Sequence, residues 1–266
     1  MKRNKALWGC VLAAALLLTG CGGSNGSSSS SGSMSGGMNS SSASGTAAYR
    51  TGLGVLTETS DDGNSGKVEL IAAAVTLDEN GRLADVQFDE LESVVTADGT
   101  GAVTLPTDDR TKRQKGDDYP LAAVSSLKKG WTEQADAFAK YLTGRTPEEV
   151  KAIQTDADGK ATDADLLSGC TIAVDRYRDA VVEACTNAKA MGAAKGDRVS
   201  VYVEAMRDAS SGTATDDRDA TVTLNVKAEA RTHDADAKLS SSVEEERTFT
   251  WTISADGGVT VEHSKT

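Results

Sequence analysis

The sequence predicts an α+β fold, with antiparallel β-sheet regions at both ends of the folded part and about three helices between them. Three observations support this class. Residues 68–77 are apolar on both faces, residues 131–142 repeat apolar side chains at helical spacing, and residues 222–231 alternate between apolar and polar. Strands that come before and after a helical segment are typical of α+β proteins.

The first strand region starts close to residue 49. Residues 52–59 form a short candidate strand, and residues 68–77 predict a central strand covered on both sides. A turn at 78–81 leads to a return strand at 82–91. Two sets of side chains alternate along it: Ala84, Val86 and Phe88, and Asp85, Gln87 and Asp89. This alternation predicts a hairpin with one solvent-exposed face.

The first predicted helix has an apolar stripe formed by Trp131, Ala135, Phe138 and Leu142, and Gly144 can end it. We expect the Trp131 side chain in the core rather than as a stacking platform, because this residue begins the buried stripe.

Two further helices are predicted after it. Thr146-Pro147-Glu148-Glu149 has the N-cap, the first-turn proline and the glutamate of a capping box. The third helix has Asp175 as its expected cap and Gly192 as its expected end.

The C-terminal region has the clearest alternation in the chain. Residues 199–203 form an early strand, residues 222–231 and 249–253 follow, and a turn at 255–258 precedes the last strand. These segments predict an antiparallel meander with one buried face.

Residues 49–266 are expected to form one α+β domain. Both strand regions contain a polar Asp/Ser/Gly loop, then a strand, then a hairpin turn with Asp and Gly. Two diverged halves, 49–195 and 196–266, are an alternative, although any antiparallel sheet produces such spacing by itself.

The N-terminus predicts a lipoprotein signal peptide over residues 1–20. Three cations precede an apolar run at 6–18, which is shorter than the roughly 20 residues that span a bilayer. Leu18-Thr19-Gly20-Cys21 resembles the bacterial lipobox, which implies that Cys21 is lipidated and begins the mature chain. The alternatives are an ordinary signal peptide with a chance cysteine, or a buried helix.

Residues 21–48 form a Ser/Gly-rich disordered tether in this interpretation. Its residues 22–48 include 12 Ser, 7 Gly and no charged side chain. Such a segment cannot bury enough apolar surface to offset the entropy of ordering it. We therefore expect the tether to separate the folded part from the outer face of the bacterial cell membrane, with only the lipid on Cys21 in the bilayer.

Charge and motifs exclude several classes of function. The chain has 28 Lys plus Arg and 40 Asp plus Glu, a net charge of −12, whereas binding to nucleic acid needs a basic surface. No catalytic motif appears in a useful context, and the two histidines, His233 and His263, lie in polar or terminal segments. We expect no enzyme, no cofactor and no nucleic-acid partner.

A block in the middle of the chain resembles uncharacterised surface lipoproteins of anaerobic Gram-positive bacteria. The block has a T-K-x-E-x-G-x-x-Y run, an E-W-x-x-Q helix and a G-K-T turn, and it corresponds here to residues 111–119, 131–134 and 144–146. Residues 168–172 are similar to its continuation. No activity comes with the resemblance, and the sequence departs from the pattern at Gln114, Pro120 and Gly130.

Cys170 and Cys185 are the cysteines that follow the tether, and they leave too few ligands for a zinc site. Outside the cell they could form a disulfide across a loop of about 15 residues. The alternative is two buried thiols, because Cys185 lies on the apolar stripe of its helix.

Two loops have a weak likeness to ligand sites. Residues 156–159, with Asp163 and Asp165, offer oxygens to Ca²⁺ but lack EF-hand spacing, which favours a solvated turn. Residues 210–215 resemble the S-G-A-T motif at which some secreted proteins attach flavin mononucleotide to a threonine. The additional Thr213 breaks that motif and favours a flexible loop.

One basic cluster stands out in the acidic body: Arg110, Lys112, Arg113 and Lys115. It could bind an anionic partner such as a cell-wall polymer or a small-molecule carboxylate. In the alternative interpretation, this is a solvated loop whose cations balance nearby aspartates: Asp108, Asp109, Asp117 and Asp118.

Together these features predict a lipid-anchored cell-surface protein with a non-enzymatic ligand-binding or envelope role. The alternative hypothesis is an extracellular redox or flavin-carrying lipoprotein, which residues 210–215 and the two cysteines suggest.

Overall fold

The computed structural model describes residues 48–209 and 212–265 of the chain. The signal peptide, Cys21 and residues 22–47 of the tether lie outside the described residues. Within the described ranges, no helix is both long enough and apolar enough to span a membrane.

The N-terminal sheet, sheet 1, has four antiparallel strands in sequential order. Every residue from Leu70 to Leu77 is buried, which confirms the predicted central strand covered on both faces. The strands are β1 (Arg50–Asp62), β2 (Ser65–Leu77), β3 (Leu83–Ala97) and β4 (Val103–Thr104).

Six α-helices of the described chain lie between the two strand regions, together with one 3₁₀ turn at Gly116–Asp118. Three of the six are single turns without an apolar period, so the sequence pattern does not predict them. The helices are α1 (Lys112–Lys115), α2 (Leu121–Val124), α3 (Trp131–Leu142), α4 (Pro147–Lys151), α5 (Ala164–Leu167) and α6 (Asp175–Asn187).

The C-terminal sheet, sheet 2, is a second antiparallel meander of four strands in sequential order. Its alternation is as predicted: Val222, Leu224 and Phe249 are fully buried, whereas Asn225 is exposed. The strands are β5 (Arg198–Ala209), β6 (Ala220–His233), β7 (Leu239–Ile253) and β8 (Val259–Lys265).

The described residues form three layers. One face of sheet 1 packs against the apolar face of sheet 2, and a core that includes Leu70, Leu91 and Trp251 fills the space between them. The helices cover the other face of sheet 1, where Phe88 and Phe138 belong to a second core. The α+β class is confirmed, but the expected count of about three helices was too low.

Two glycines of β1 allow α6 to lie directly on the strand. A Cβ added at Gly52 would be 2.0 Å from the carbonyl oxygen of Ala184, and one at Gly54 would be 2.1 Å from that of Ala180. A larger residue at either position would displace the helix.

The prediction that one face of the β2–β3 hairpin is exposed to solvent is wrong. The Asp85 carboxylate accepts a hydrogen bond from the Val199 N–H at 3.0 Å, and the Gln87 side-chain oxygen accepts one from the Val201 N–H at 2.8 Å. These polar side chains therefore accept hydrogen bonds from backbone N–H groups at the free edge of β5 instead of facing solvent. The same contacts protect that sheet edge from pairing with another chain.

The predicted end of the first helix and the predicted start of the second are confirmed. α3 ends at Leu142, just before Gly144, and Thr146 and Glu149 form the predicted capping box of α4. Neither predicted end of the third helix is confirmed. Val174, rather than Asp175, is the N-cap of α6, because the loop carbonyl of Gly159 holds the Val174 N–H at 2.7 Å. The helix also ends well before Gly192, because Lys189 leaves it to pair with the backbone of β1.

Candidate functional site

The cations of the predicted basic cluster each lie near carboxylates in the structure. Arg110 pairs with Asp108 at 3.0 Å and with Asp118 at 3.1 Å, as the solvated-loop alternative predicted. Arg113 instead pairs with Asp136 of α3 at 2.8 Å. Lys112 points into the protein, and Lys115 is half-buried near Asp108.

Lys112 is the centre of a buried charge cluster that was not predicted from the sequence. Its Nζ lies 2.9 Å from Glu90 Oε1 and 3.0 Å from Glu92 Oε1. The side chains of Lys112 and Glu90 are only 10% and 6% exposed. The same ammonium lies 5.0 Å from the ring centroid of Tyr119, within the range of a cation–π contact.

The second oxygen of Glu90 faces the helix layer. It accepts a hydrogen bond from the Tyr177 hydroxyl of α6, and that hydroxyl accepts one from Trp131 Nε1 at 3.1 Å. Both Glu90 oxygens are therefore bound, and Trp131 is in the core as predicted, at 2% exposed.

The strand register explains why cations are needed here. Glu58, Glu69 and Glu92 are direct cross-strand neighbours on β1, β2 and β3. Like charges placed opposite each other in a sheet are destabilising. Arg176 of α6 compensates by pairing with Glu69 at 2.6 Å and with Glu58 at 2.9 Å.

A cavity of about 240 Å³ opens beside this cluster, and we call it the glutamate pocket. Its ionisable lining consists of four carboxylates (Glu69, Glu90, Glu92 and Asp175) and two cations (Lys112 and Arg176), an excess of two negative charges. The other lining residues are aromatic or aliphatic: Ile71, Tyr119, Leu121, Trp131, Ile172, Ala173 and Tyr177.

The protonation states of the cluster follow from burial and pairing. Burial alone would lower the pKa of Lys112, but the attraction of Glu90 and Glu92 outweighs it and raises the pKa. Burial raises the pKa of Glu90 despite its two partners, and it raises the pKa of Tyr177 well above the ordinary value. At neutral pH, Lys112 is therefore an ammonium and Tyr177 a neutral phenol, so neither is a base or a nucleophile.

Glu69, Glu90 and Glu92 each offer an oxygen within 4.8 Å of the others, which is the one group of metal-ligand type found among the described residues. Carboxylate oxygens suit Ca²⁺ or Mg²⁺. The Lys112 ammonium already lies against two of the three carboxylates, so a divalent ion would have to displace it.

The two cysteines are free and buried in the core beneath the helices, and they are not bonded to each other in the structure. Burial raises the pKa of Cys170 to about 11 and that of Cys185 to about 12. Because the thiolate is the reactive form, neither sulfur is a nucleophile near neutral pH.

Asp156 and Asp163, in the acidic stretch that offers oxygens to Ca²⁺, accept hydrogen bonds from backbone N–H groups. Asp156 Oδ1 accepts hydrogen bonds from the N–H groups of Asp158 and Lys160, both at 2.9 Å. Asp163 caps α5 by accepting from the Asp165 N–H at 2.9 Å. These contacts are those of a polar turn and a helix cap.

The segment that resembles a flavin acceptor is partly ordered. Ser210 and Ser211 lie outside the described residues, but Thr213 forms a β-bridge with Ala102 and Ala214 is 3% exposed in the inter-sheet core. The expectation of a flexible loop is therefore wrong at Ala214, whose methyl group fills part of that core.

The histidines lie in regular strands rather than in frayed segments. His233 ends β6 and is half-buried, and His263 is an exposed residue of β8.

Comparison of the chain with protein-family models, curated proteins and solved structures found no match.

Proposed function

We propose that this chain is a lipid-anchored, non-enzymatic surface protein that binds a small ligand with an amino group in the glutamate pocket. The leader at residues 1–20, the lipobox cysteine Cys21 and the Ser/Gly-rich tether support the anchor. They place the domain on the outer face of the bacterial membrane in this proposal, with the lipid as its contact to the bilayer.

The position of Lys112 is the observation that supports a ligand with an amino group. The Lys112 ammonium lies between two carboxylates and near an aromatic ring, which supports an ammonium group as the kind of ligand that the pocket lining would stabilise. The pocket keeps an excess of two negative charges even with Lys112 and Arg176 present, so a further cation is the complementary ligand.

The carboxylates differ in their access to solvent, and this assigns them separate roles. Glu90 is 6% exposed and already holds Lys112 and Tyr177, whereas the Glu92 side chain is 30% exposed. Both oxygens of Glu69 are likewise paired, one with Lys67 and the other with Arg176. We expect Glu92 and Asp175 to contact an incoming amine while Glu90 and Glu69 hold the lining in position. The volume of about 240 Å³ is below the usual range for drug-sized ligands, which favours a small molecule.

The same contacts argue against catalysis in this pocket. Both Glu90 oxygens are engaged, and Lys112 and Tyr177 hold their protons at neutral pH. A general base or nucleophile needs a pKa close to the working pH.

A thermal-shift screen tests the pocket. We expect lysine and 1,5-diaminopentane to raise the melting temperature of the purified protein, and acetate and glycerol to leave it unchanged. Glu92→Gln should abolish the shift, whereas Glu246→Gln, which changes an exposed carboxylate of β7, should keep it. Equal shifts in both variants, or none in the wild type, would reject the pocket as the site.

Intact mass tests the anchor. The membrane fraction should contain a chain that begins at Cys21 and carries acyl groups, and Cys21→Ala should release the protein from the membrane. An unprocessed chain in the cytosol would contradict the proposed location. The same spectrum would reveal a covalent flavin, the alternative suggested by residues 210–215.

A further inference from the structure

Tyr202 lies on the solvent-exposed face of β5, which belongs to sheet 2. The charge cluster around Lys112 belongs to sheet 1. The Tyr202 side chain is 45% exposed. The Arg231 guanidinium of the neighbouring strand lies 4.6 Å from the ring centroid. An exposed aromatic ring on the polar face of a sheet presents an apolar surface to a ligand.

The polar groups around this ring are held in place. Glu229, directly opposite Tyr202 in the register of β5 and β6, is 9% exposed. One of its oxygens pairs with Arg231 and the other accepts a hydrogen bond from the Ser242 hydroxyl. Fixed side chains lose little further freedom on binding a ligand.

Gln114 of α1 connects this face to the helix layer. Its side-chain nitrogen donates to the Val203 carbonyl at 2.9 Å, and its side-chain oxygen accepts from the Thr111 N–H at 3.0 Å. The amide is thus locked in one orientation at the edge of β5.

These groups surround a depression of about 370 Å³, which is within the size range of small-molecule sites. Its charged lining is balanced: Glu204 and Glu229 offer two carboxylates, and Lys227 and Arg231 offer two cations. Because its net charge is zero, the lining does not favour a ligand of either charge sign, and its charged and amide groups can still bind the hydroxyl groups of an uncharged ligand.

We infer that this depression binds a neutral saccharide. Each sugar hydroxyl both donates and accepts, so it matches a lining that mixes carboxylates with ammonium, guanidinium and amide groups. The apolar C–H face of the sugar ring would pack on Tyr202. This inference does not depend on ligand binding in the glutamate pocket, since the two sites share no lining residue.

The test is a titration of the purified protein, monitored by NMR, with three neutral sugars: cellotetraose, tetra-N-acetylchitotetraose and maltotetraose. Tetragalacturonate is the anionic comparison. At least one neutral sugar should shift the backbone signals of Tyr202 and Arg231 to saturation. Tyr202→Ala should weaken that binding about tenfold, because the stacking surface is lost, and Tyr202→Phe should bind within about threefold of wild type.

Met206→Ala is the matched control. Met206 lies on the same face of β5 and is 63% exposed, but it does not line the depression, so its removal should leave binding unchanged. Glu92→Gln should also leave it unchanged, which separates this site from the glutamate pocket. The inference is overturned if no neutral sugar shifts these signals, if Tyr202→Ala binds like wild type, or if tetragalacturonate binds best.

Discussion

Sheets 1 and 2 have the same topology but different surroundings. Each is an antiparallel meander of four strands in sequential order. Sheet 1 is covered on one face by helices and on the other by sheet 2, whereas sheet 2 has one face in solvent. Glu90 and Lys112, between sheet 1 and the helices, are therefore buried and must be neutralised inside the protein, while Lys227 and Glu244 on the outer face of sheet 2 remain hydrated.

The largest expected effect tests this contrast directly. Lys112→Ala leaves Glu90 and Glu92 without their shared cation, and breaking a buried pair in this way should cost about 3 kcal/mol of unfolding free energy. Lys227 on sheet 2 pairs with Glu244 in an exposed setting, so Lys227→Ala should cause no measurable loss. Urea denaturation of both variants measures these changes. Equal losses of unfolding free energy would contradict the difference between the two sheets.

A smaller effect is expected where the helix layer meets β1. Gly54→Ala should lower the unfolding free energy by about 2 kcal/mol, because the new Cβ would overlap the Ala180 carbonyl oxygen. Gly99 has open space around it, so Gly99→Ala is the control and should be nearly neutral. Thermal unfolding measured by circular dichroism compares them; a Gly54→Ala protein as stable as wild type would mean that α6 does not lie against β1.

The contact between the two sheets at the β5 edge predicts a third, weaker effect. Gln87→Ala removes the acceptor for the Val201 N–H and should cost about 1 kcal/mol. Gln154→Ala, which removes a side chain bonded at the surface, should cost less. Hydrogen exchange gives a second readout, since the Val201 amide should lose protection in the first variant alone.

The smallest expected effect is a change in pH dependence. The pKa of Glu90 is raised above its ordinary value of 4.5 in the folded protein, so the folded state keeps this proton more tightly than the unfolded state. Its contribution to stability is complete below pH 4.5 and is lost as the pH rises through the raised pKa. Glu90→Gln should remove that loss, so its unfolding free energy should fall less steeply with pH than that of wild type.

The sequence alone predicts those elements whose structure depends on one local rule. Alternation predicted β6 and β7, and the capping box predicted the start of α4. Single-turn helices such as α1 have no apolar period, so pattern analysis could not find them. The end of α6 depends on a distant backbone pairing between Thr51 and Lys189, which no local signal reports.

The glutamate pocket was missed for a related reason. Glu69 lies more than 20 positions before Glu90 and Glu92, and only the register of β2 and β3 brings them together. Lys112 belonged to a run of cations that resembles a solvated loop. One signal was present in the sequence: Glu90 and Glu92 continue the face of β3 that Val86 and Phe88 begin, and carboxylates on an apolar face indicate buried partners.

The most direct test of the central claim follows the Trp131 indole N–H, which donates to Tyr177 at the wall of the glutamate pocket. Titration of the ¹⁵N-labelled protein with 1,5-diaminopentane should shift this NMR signal to saturation in wild type, and Glu92→Gln should remove the shift. An indole signal that does not respond, or that responds equally in the variant, would contradict amine binding in this pocket.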